Sequence, residues 1–206
     1  MKVLMINGSP HEKGCVFTAL SEVAGQLNKQ GIDTNIIHIG NKPIRGCTAC
    51  YACIETGFCV FKDDPVNECI ELMRQADGLV VGSPVYYAAP NGSLCSFLDR
   101  VFFLKSAKYK LKPAAAIVNC RRGGASAAFD RLNKYFTISG MPVVSSQYWN
   151  STHGTTPEEV MQDLEGMQTM RTLGNNMAWL LKCIEAGKDK IPHPEVEPRQ
   201  STSFIR

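Results

Sequence analysis

The chain has 206 residues, a formal net charge of +3 and nine cysteines, a length that suits one domain or one domain with an extension. No basic run points to nucleic acid, and no apolar run approaches the roughly 20 residues that span a bilayer. Nine cysteines behind a start that lacks a secretory leader place the expected location in the reducing cytoplasm.

Residues 3–6 (V-L-M-I) read as a short buried strand, followed by the turn-rich loop N-G-S-P-H-E-K-G. Residues 16–28 read as a helix with Leu20, Val23, Ala24 and Leu27 on one face, and residues 34–39 as the second strand. A helix follows over residues 66–74, with Cys69, Ile70 and Met73 as its apolar stripe, so Cys69 belongs to the core. The third strand is expected at 78–82, a helix at 93–104, the fourth strand at 114–119, a helix at 125–139 and the fifth strand at 142–146. Residues 157–186 read as mostly helical, with Thr156 as N-cap before Pro157. Residues 1–186 therefore form one domain, and the Pro-rich, charged stretch 187–206 reads as an extended tail.

Near-continuous apolar strands that alternate with helices indicate a parallel sheet covered on both faces. Ligands of such open α/β sheets bind at the carboxyl ends of the strands. Three loops there are informative. The first holds Ser9, His11, Gly14, Cys15, Val16 and Phe17. It matches neither G-x-G-x-x-G nor G-x-x-x-x-G-K-[ST], yet it feeds a helix N-terminus whose backbone N–H groups favour a phosphate. The second, Ser83-Pro84-Val85-Tyr86-Tyr87-Ala88, is stiffened by proline and offers two flat rings. The third, Asn119-Cys120-Arg121-Arg122-Gly123-Gly124, has paired glycines that let backbone approach a ligand. Each loop alone also fits an ordinary turn, and the tyrosines also fit core or interface packing.

Between the second and third strands stand Cys47, Cys50, Cys53 and Cys59, spaced C-x2-C-x2-C-x5-C. Four soft thiolates so close in sequence can converge on one iron–sulfur cluster. Structural zinc more often uses two C-x2-C knuckles far apart. A redox disulfide and unliganded thiols are the other readings.

Taken together, the N-G-S-P…G loop, the S-P-V-Y-Y-A-A-P…F-L-D-R segment and the Arg-Arg-Gly-Gly loop resemble the NADPH-dependent FMN reductase superfamily. The cysteine segment, followed by V-F-K-D-D at residues 60–64, resembles the iron–sulfur flavoproteins within it. The likeness runs from Met1 to about Ala186 and includes G-M-Q-T at residues 166–169. It implies a flavodoxin-like, doubly wound, five-stranded parallel sheet. FMN would lie against the three loops, and a 4Fe–4S cluster would sit on the four cysteines. Electrons would pass between a donor, NAD(P)H or ferredoxin, and a small-molecule acceptor. It also implies a homodimer or homotetramer. The chain departs from the family at His11, commonly Arg, at Cys15-Val16, commonly Asn-Thr, and at Cys95, often Lys. The first two departures weaken side-chain contacts to a phosphate and leave more to the backbone.

A flavin carries the electrons itself, so no catalytic acid is required of the protein. Arg121 or Arg122 can stabilise charge near a reduced ring, Asp99 and Arg100 read as helix structure, and His153 as a loop histidine. Trp149, Met167, Met170, Trp179 and Phe204 exceed what a minimal five-stranded domain needs and point to a subunit interface. The alternatives are a cluster-free NAD(P)H-dependent FMN or quinone reductase and a flavodoxin-like electron-transfer module.

Overall fold

The computed structural model describes residues 1–104, 109–198, 200–202 and 204. The first half runs β1 (Lys2–Asn7), α1 (Cys15–Lys29), β2 (Asp33–His38), α2 (Ala52–Thr56) and α3 (Val66–Gln75). It continues with β3 (Gly78–Tyr86), β4 (Ala89–Pro90), α4 (Gly92–Phe103), β5 (Ala114–Cys120) and α5 (Ala125–Ile138). The chain closes with β6 (Ser151–His153), α6 (Pro157–Gln162) and α7 (Leu164–Gly187).

Five strands pair in parallel in the order β2-β1-β3-β5-β6, and β4 folds back antiparallel on the end of β3. The central strands alternate between two cores, because successive side chains point to opposite faces. Leu4, Ile6, Leu79, Val81, Ala114, Ala116 and Val118 pack under α3, α4 and α5. Val3, Met5, Val80, Ala115 and Ile117 pack under α1 and α7. The expected doubly wound sheet is present. Its order reverses direction between β1 and β3, which is where a ligand crevice opens in this architecture.

The fifth strand is not where the sequence places it. Residues 142–146 make a single parallel bridge, Val143 beside Ala114. The chain then leaves the sheet edge and exposes Tyr148 and Trp149. It returns at Asn150, whose side-chain Nδ2 donates to the Ala116 carbonyl at 3.0 Å and whose own carbonyl accepts the Val118 N–H at 3.0 Å. Only then does the ladder resume as β6. An amide side chain stands in for a backbone partner across the gap, which apolar patterning cannot foresee.

The C-terminal helix is two helices. Thr156 caps α6 as expected, accepting the Glu159 N–H at 3.3 Å. Asp163 then breaks the run and caps α7, accepting the Gly166 N–H at 2.9 Å. Met167 and Met170 are buried within the domain, Met170 against the core under α1, so they are not spare interface residues. Trp149, Trp179 and Phe204 are exposed. The described part of the tail beyond α7 carries no helix or strand, and residues 199, 203, 205 and 206 lie outside the described residues. No described helix is long and apolar enough to cross a membrane.

Candidate functional site

The ends of β1 and β3 are bound into one frame. The Gly8 N–H donates to the Gly82 carbonyl at 2.9 Å, and Asn91 Nδ2 donates to the Gly8 carbonyl at 2.7 Å. Ser83, fully buried, accepts the Asn91 N–H at 3.0 Å and donates to the Pro84 carbonyl at 2.8 Å. The loop after β1 is equally defined. Asn7 holds it at both ends, accepting the Ser9 N–H at 3.1 Å and donating to the Glu12 carbonyl at 3.0 Å. Ser9 Oγ accepts the His11 N–H at 3.1 Å, and His38 Nε2 lies 2.7 Å from the Ser9 carbonyl.

This loop delivers α1 with Gly14 as N-cap, no side-chain cap and no acidic residue in the first turn. The backbone N–H groups of Cys15, Val16 and Phe17 therefore have no intrahelical partner, and Gly14 and Cys15 line a groove with His38, Gly40, Asn41 and residues 155–157. That donor set fits a phosphate monoester. Lys13 lies near, its Nζ 4.7 Å from the Phe17 ring centre. Burial pushes the Cys15 thiol up, and Glu159 and Glu158 add to it, so the side chain sits there as a neutral thiol.

Across the crevice, Tyr87 and Ala88 form the tip of the β3–β4 hairpin with φ of 52° and 59°. Positive φ at both central residues is the two-residue turn that asparagine and glycine usually fill. Here Tyr87 is held in it with its ring fully exposed, next to a half-exposed Tyr86. The hairpin rests on the loop after β5, where Gly124 has φ of 86° and its would-be Cβ lies 2.8 Å from the Ala88 Cα. Gly123 faces open space, and Arg121 and Arg122 are exposed beside it. Pro84 and Val85 are half-buried at the base of the hairpin.

Asn119 stands at the end of β5. It is buried, and its Nδ2 donates to the Thr152 carbonyl at 3.2 Å and Oγ1 at 3.1 Å, joining β5 to β6. His153 ends β6, with its N–H on Asp163 Oδ2 at 2.7 Å and its Nδ1 3.3 Å from the same oxygen.

Beyond the β2 end, Cys47, Cys50, Cys53 and Cys59 line one small cavity, together with Tyr51, Phe61, Arg100 and Phe103. No cysteine of the chain is in a disulfide. Among the described residues no three His, Cys, Asp or Glu side chains converge on one point as ligands of a single ion would. The thiols instead surround a space. Ala49 and Tyr51, with φ of 51° and 62°, turn the backbone so that successive cysteines face inward. Burial pushes the Cys53 thiol up against a backbone hydrogen bond that lowers it, and Cys50, Cys59 and Cys47 each add to the push, so Cys53 lies within electrostatic reach of the other three. Four soft donors around one largely apolar space fit an iron–sulfur cluster.

The residue that sequence reasoning missed is Arg100. It is 2% exposed, and its Nε donates to Cys59 Sγ at 3.2 Å. It also pairs with buried Asp64. An arginine at an inward helix position, with an Asp just beyond the cysteines, was the only signal for it in the chain.

The sequence profile of the NADPH-dependent FMN reductase family matches residues 1–156. The chain belongs to that family. It is an FMN-dependent oxidoreductase of the flavodoxin-like fold. Among its relatives, an iron–sulfur flavoprotein of Methanocaldococcus jannaschii is 31% identical over 90% of this chain and 100% of its own length. An iron–sulfur flavoprotein of Methanosarcina thermophila is 32% identical over 92% of this chain and 100% of its own. Solved folds agree. RosB with bound 8-demethyl-8-formylriboflavin-5'-phosphate superposes with a TM-score of 0.71 at 15% identity, covering 100% of this chain and 94% of RosB. A flavodoxin from the domain Archaea superposes with a TM-score of 0.59 at 15% identity, covering 88% of this chain and 99% of its own.

Proposed function

We propose that this FMN reductase family member moves electrons between a donor, a 4Fe–4S cluster on Cys47, Cys50, Cys53 and Cys59, FMN at the strand ends, and a small-molecule acceptor. The observation that carries the reading is that four cysteines, spread over 13 positions of sequence from 47 to 59, line one cavity together with Arg100 and Phe103 of α4. The names of the archaeal relatives support it.

FMN, when bound, supplies the hydride and electron chemistry. The chain's own residues do the holding. Ser9 and the N–H groups of Cys15, Val16 and Phe17 offer the phosphate its donors. Tyr86 and Tyr87 offer an aromatic wall. Arg121 and Arg122, beside the open backbone at Gly123, would offset negative charge on a reduced ring. Asn119 acts from behind by fixing the β5 end. The donor is NAD(P)H or ferredoxin, and the chain works in the cytoplasm as a homodimer or homotetramer, with no nucleic-acid or membrane partner.

The test is iron, acid-labile sulfide and flavin per chain after anaerobic purification, in wild type and Cys50→Ala. Iron and sulfide near four per chain with one FMN, and iron lost in Cys50→Ala with FMN kept, is the expected result. Cys69→Ala should keep its iron, because Cys69 is fully buried in the core under the sheet. Equal iron in wild type and Cys50→Ala would rule out ligation by this segment. Full NAD(P)H turnover without iron would make the chain a cluster-free reductase.

A further inference from the structure

The cysteine segment is long, mostly exposed and irregular, with only the five-residue α2 inside it. What gives it a fixed shape is side chains reaching in from α3 and α4. From α3, Asn67 brackets Cys59, accepting its N–H at 2.8 Å and donating to its carbonyl at 2.9 Å. Arg74 donates to the Gly57 carbonyl at 2.7 Å and lies over the Phe58 ring. From α4, Arg100 reaches both ends of the segment at once. Its Nη1 donates to the Arg45 carbonyl at 3.1 Å, two residues before Cys47. Its other contacts lie at and after the last cysteine: Cys59 Sγ through Nε, the Phe61 carbonyl at 3.4 Å, and Asp64.

Each nitrogen of this guanidinium has a partner and its charge is answered by Asp64, whose side chain is 5% exposed against 1% for Arg100. A buried ion pair is a poor investment for stability alone, since desolvation offsets most of its attraction. What apolar side chains cannot supply at this place is an N–H aimed at one sulfur. Of the side-chain hydrogen bonds among the described residues, this is the one that reaches a sulfur of the four-cysteine cavity. It gives Cys59 a cationic donor.

We propose that Arg100 is a positioning residue acting through Cys59: it closes the two ends of the cysteine segment and sets the redox potential at that sulfur. A donor to a ligand sulfur favours the electron-rich, reduced state of an iron–sulfur centre, and hydrogen bonds to sulfur are among the levers that fix such potentials. The inference rests on the cluster reading above and extends it to a residue outside the cysteine motif.

The experiment uses the full chain, reconstituted anaerobically with iron and sulfide, in wild type, Arg100→Lys and Asp64→Asn. Arg100→Lys keeps the cation and removes the planar Nε–H; Asp64→Asn keeps the sulfur donor and loosens the anchor. The readouts are FMN and iron per chain, the rate of iron release to a chelator, and the cluster midpoint potential followed by electron paramagnetic resonance. Arg100→Lys should release iron several-fold faster and shift the potential negative. Asp64→Asn should release iron faster without the negative shift, because it leaves the Arg100 charge unanswered beside Cys59. If Arg100→Lys does not fold, Arg100→Gln combined with Asp64→Asn removes the same donor without leaving a buried charge and should show the same negative shift. A wild-type potential in either donor-less protein, whatever its release rate, would overturn the proposal while sparing the cluster. A wild type that takes up no iron would overturn both.

Discussion

Gly124 stands so close to Ala88 that a β-carbon on it would lie 2.8 Å from the Ala88 Cα. The loop after β5 and the tip of the β3–β4 hairpin thus share one contact, and each fixes the other at the carboxyl edge of the sheet. Gly124→Ala must move one of them, because the close atom is backbone. It must also hold alanine at φ of 86°. The left-handed backbone alone costs about 1–2 kcal/mol. FMN affinity should fall roughly tenfold or more, read by quenching of flavin fluorescence. An unchanged affinity would mean that the hairpin position does not matter to the ring.

Tyr87 allows strain and recognition to be separated. Its ring is fully exposed, so it contributes little packing, while its φ of 52° is unfavourable for a bulky residue. Tyr87→Gly should raise the melting temperature of the flavin-free protein by a few degrees, as relief of about 1 kcal/mol would in a chain of this size. The same change should weaken FMN binding by removing an aromatic surface. A rise in both stability and affinity would show that the ring is not a flavin contact.

The sequence carried the sheet well because its strands are buried on both faces, and buried strands read as plain apolar runs. It carried the three strand-end loops because glycine, proline and serine mark turns by their own chemistry. It failed at residues 142–146, where one bridging residue and the Asn150 side chain replace a continuous ladder. It did not show that the Asn119 amide ties β5 to β6 through Thr152, a contact between positions 33 apart in the chain. It placed the cysteines but not Arg100, which lies 41 positions from Cys59 and meets it only through the packing of α4.

Alkaline stability follows from Tyr109. The residue is 1% exposed, and its hydroxyl donates to the Val101 carbonyl at 3.2 Å. Burial holds its phenol above the ordinary value near 10. The unfolded chain therefore releases this proton first, and the stability it contributes is complete below pH 10 and is lost as pH rises toward the folded value. Buried Cys69 slopes the same way from about pH 9. Lys112, which burial lowers, slopes the opposite way, so the informative quantity is a difference. Tyr109→Phe should cost about 1 kcal/mol at neutral pH and lose stability less steeply than wild type above pH 10, by urea unfolding. Parallel curves would assign the alkaline loss elsewhere.

The excursion between Val143 and β6 presents Tyr148 and Trp149, whose rings meet at a tilt of 50° with centres 5.0 Å apart while both stay more than half exposed. It runs beside α7, where Asn176 Nδ2 donates to the Ser145 carbonyl at 2.8 Å and Thr172 bonds Gln147. One turn further on, Trp179 is 68% exposed. Two tryptophans and a tyrosine on one flank are a large apolar area for a lone subunit, and each aromatic side chain can bury some 150–250 Å² against a partner. A second copy of the chain is the partner this reading assigns. Wild type should scatter light as a dimer or tetramer. Trp149→Glu and Trp179→Glu should each weaken assembly by roughly tenfold or more, since each places a charge in the contact. Both should lower flavin occupancy if the contact supports the site. A wild type that stays monomeric at high micromolar concentration with full flavin would show that this flank serves another purpose.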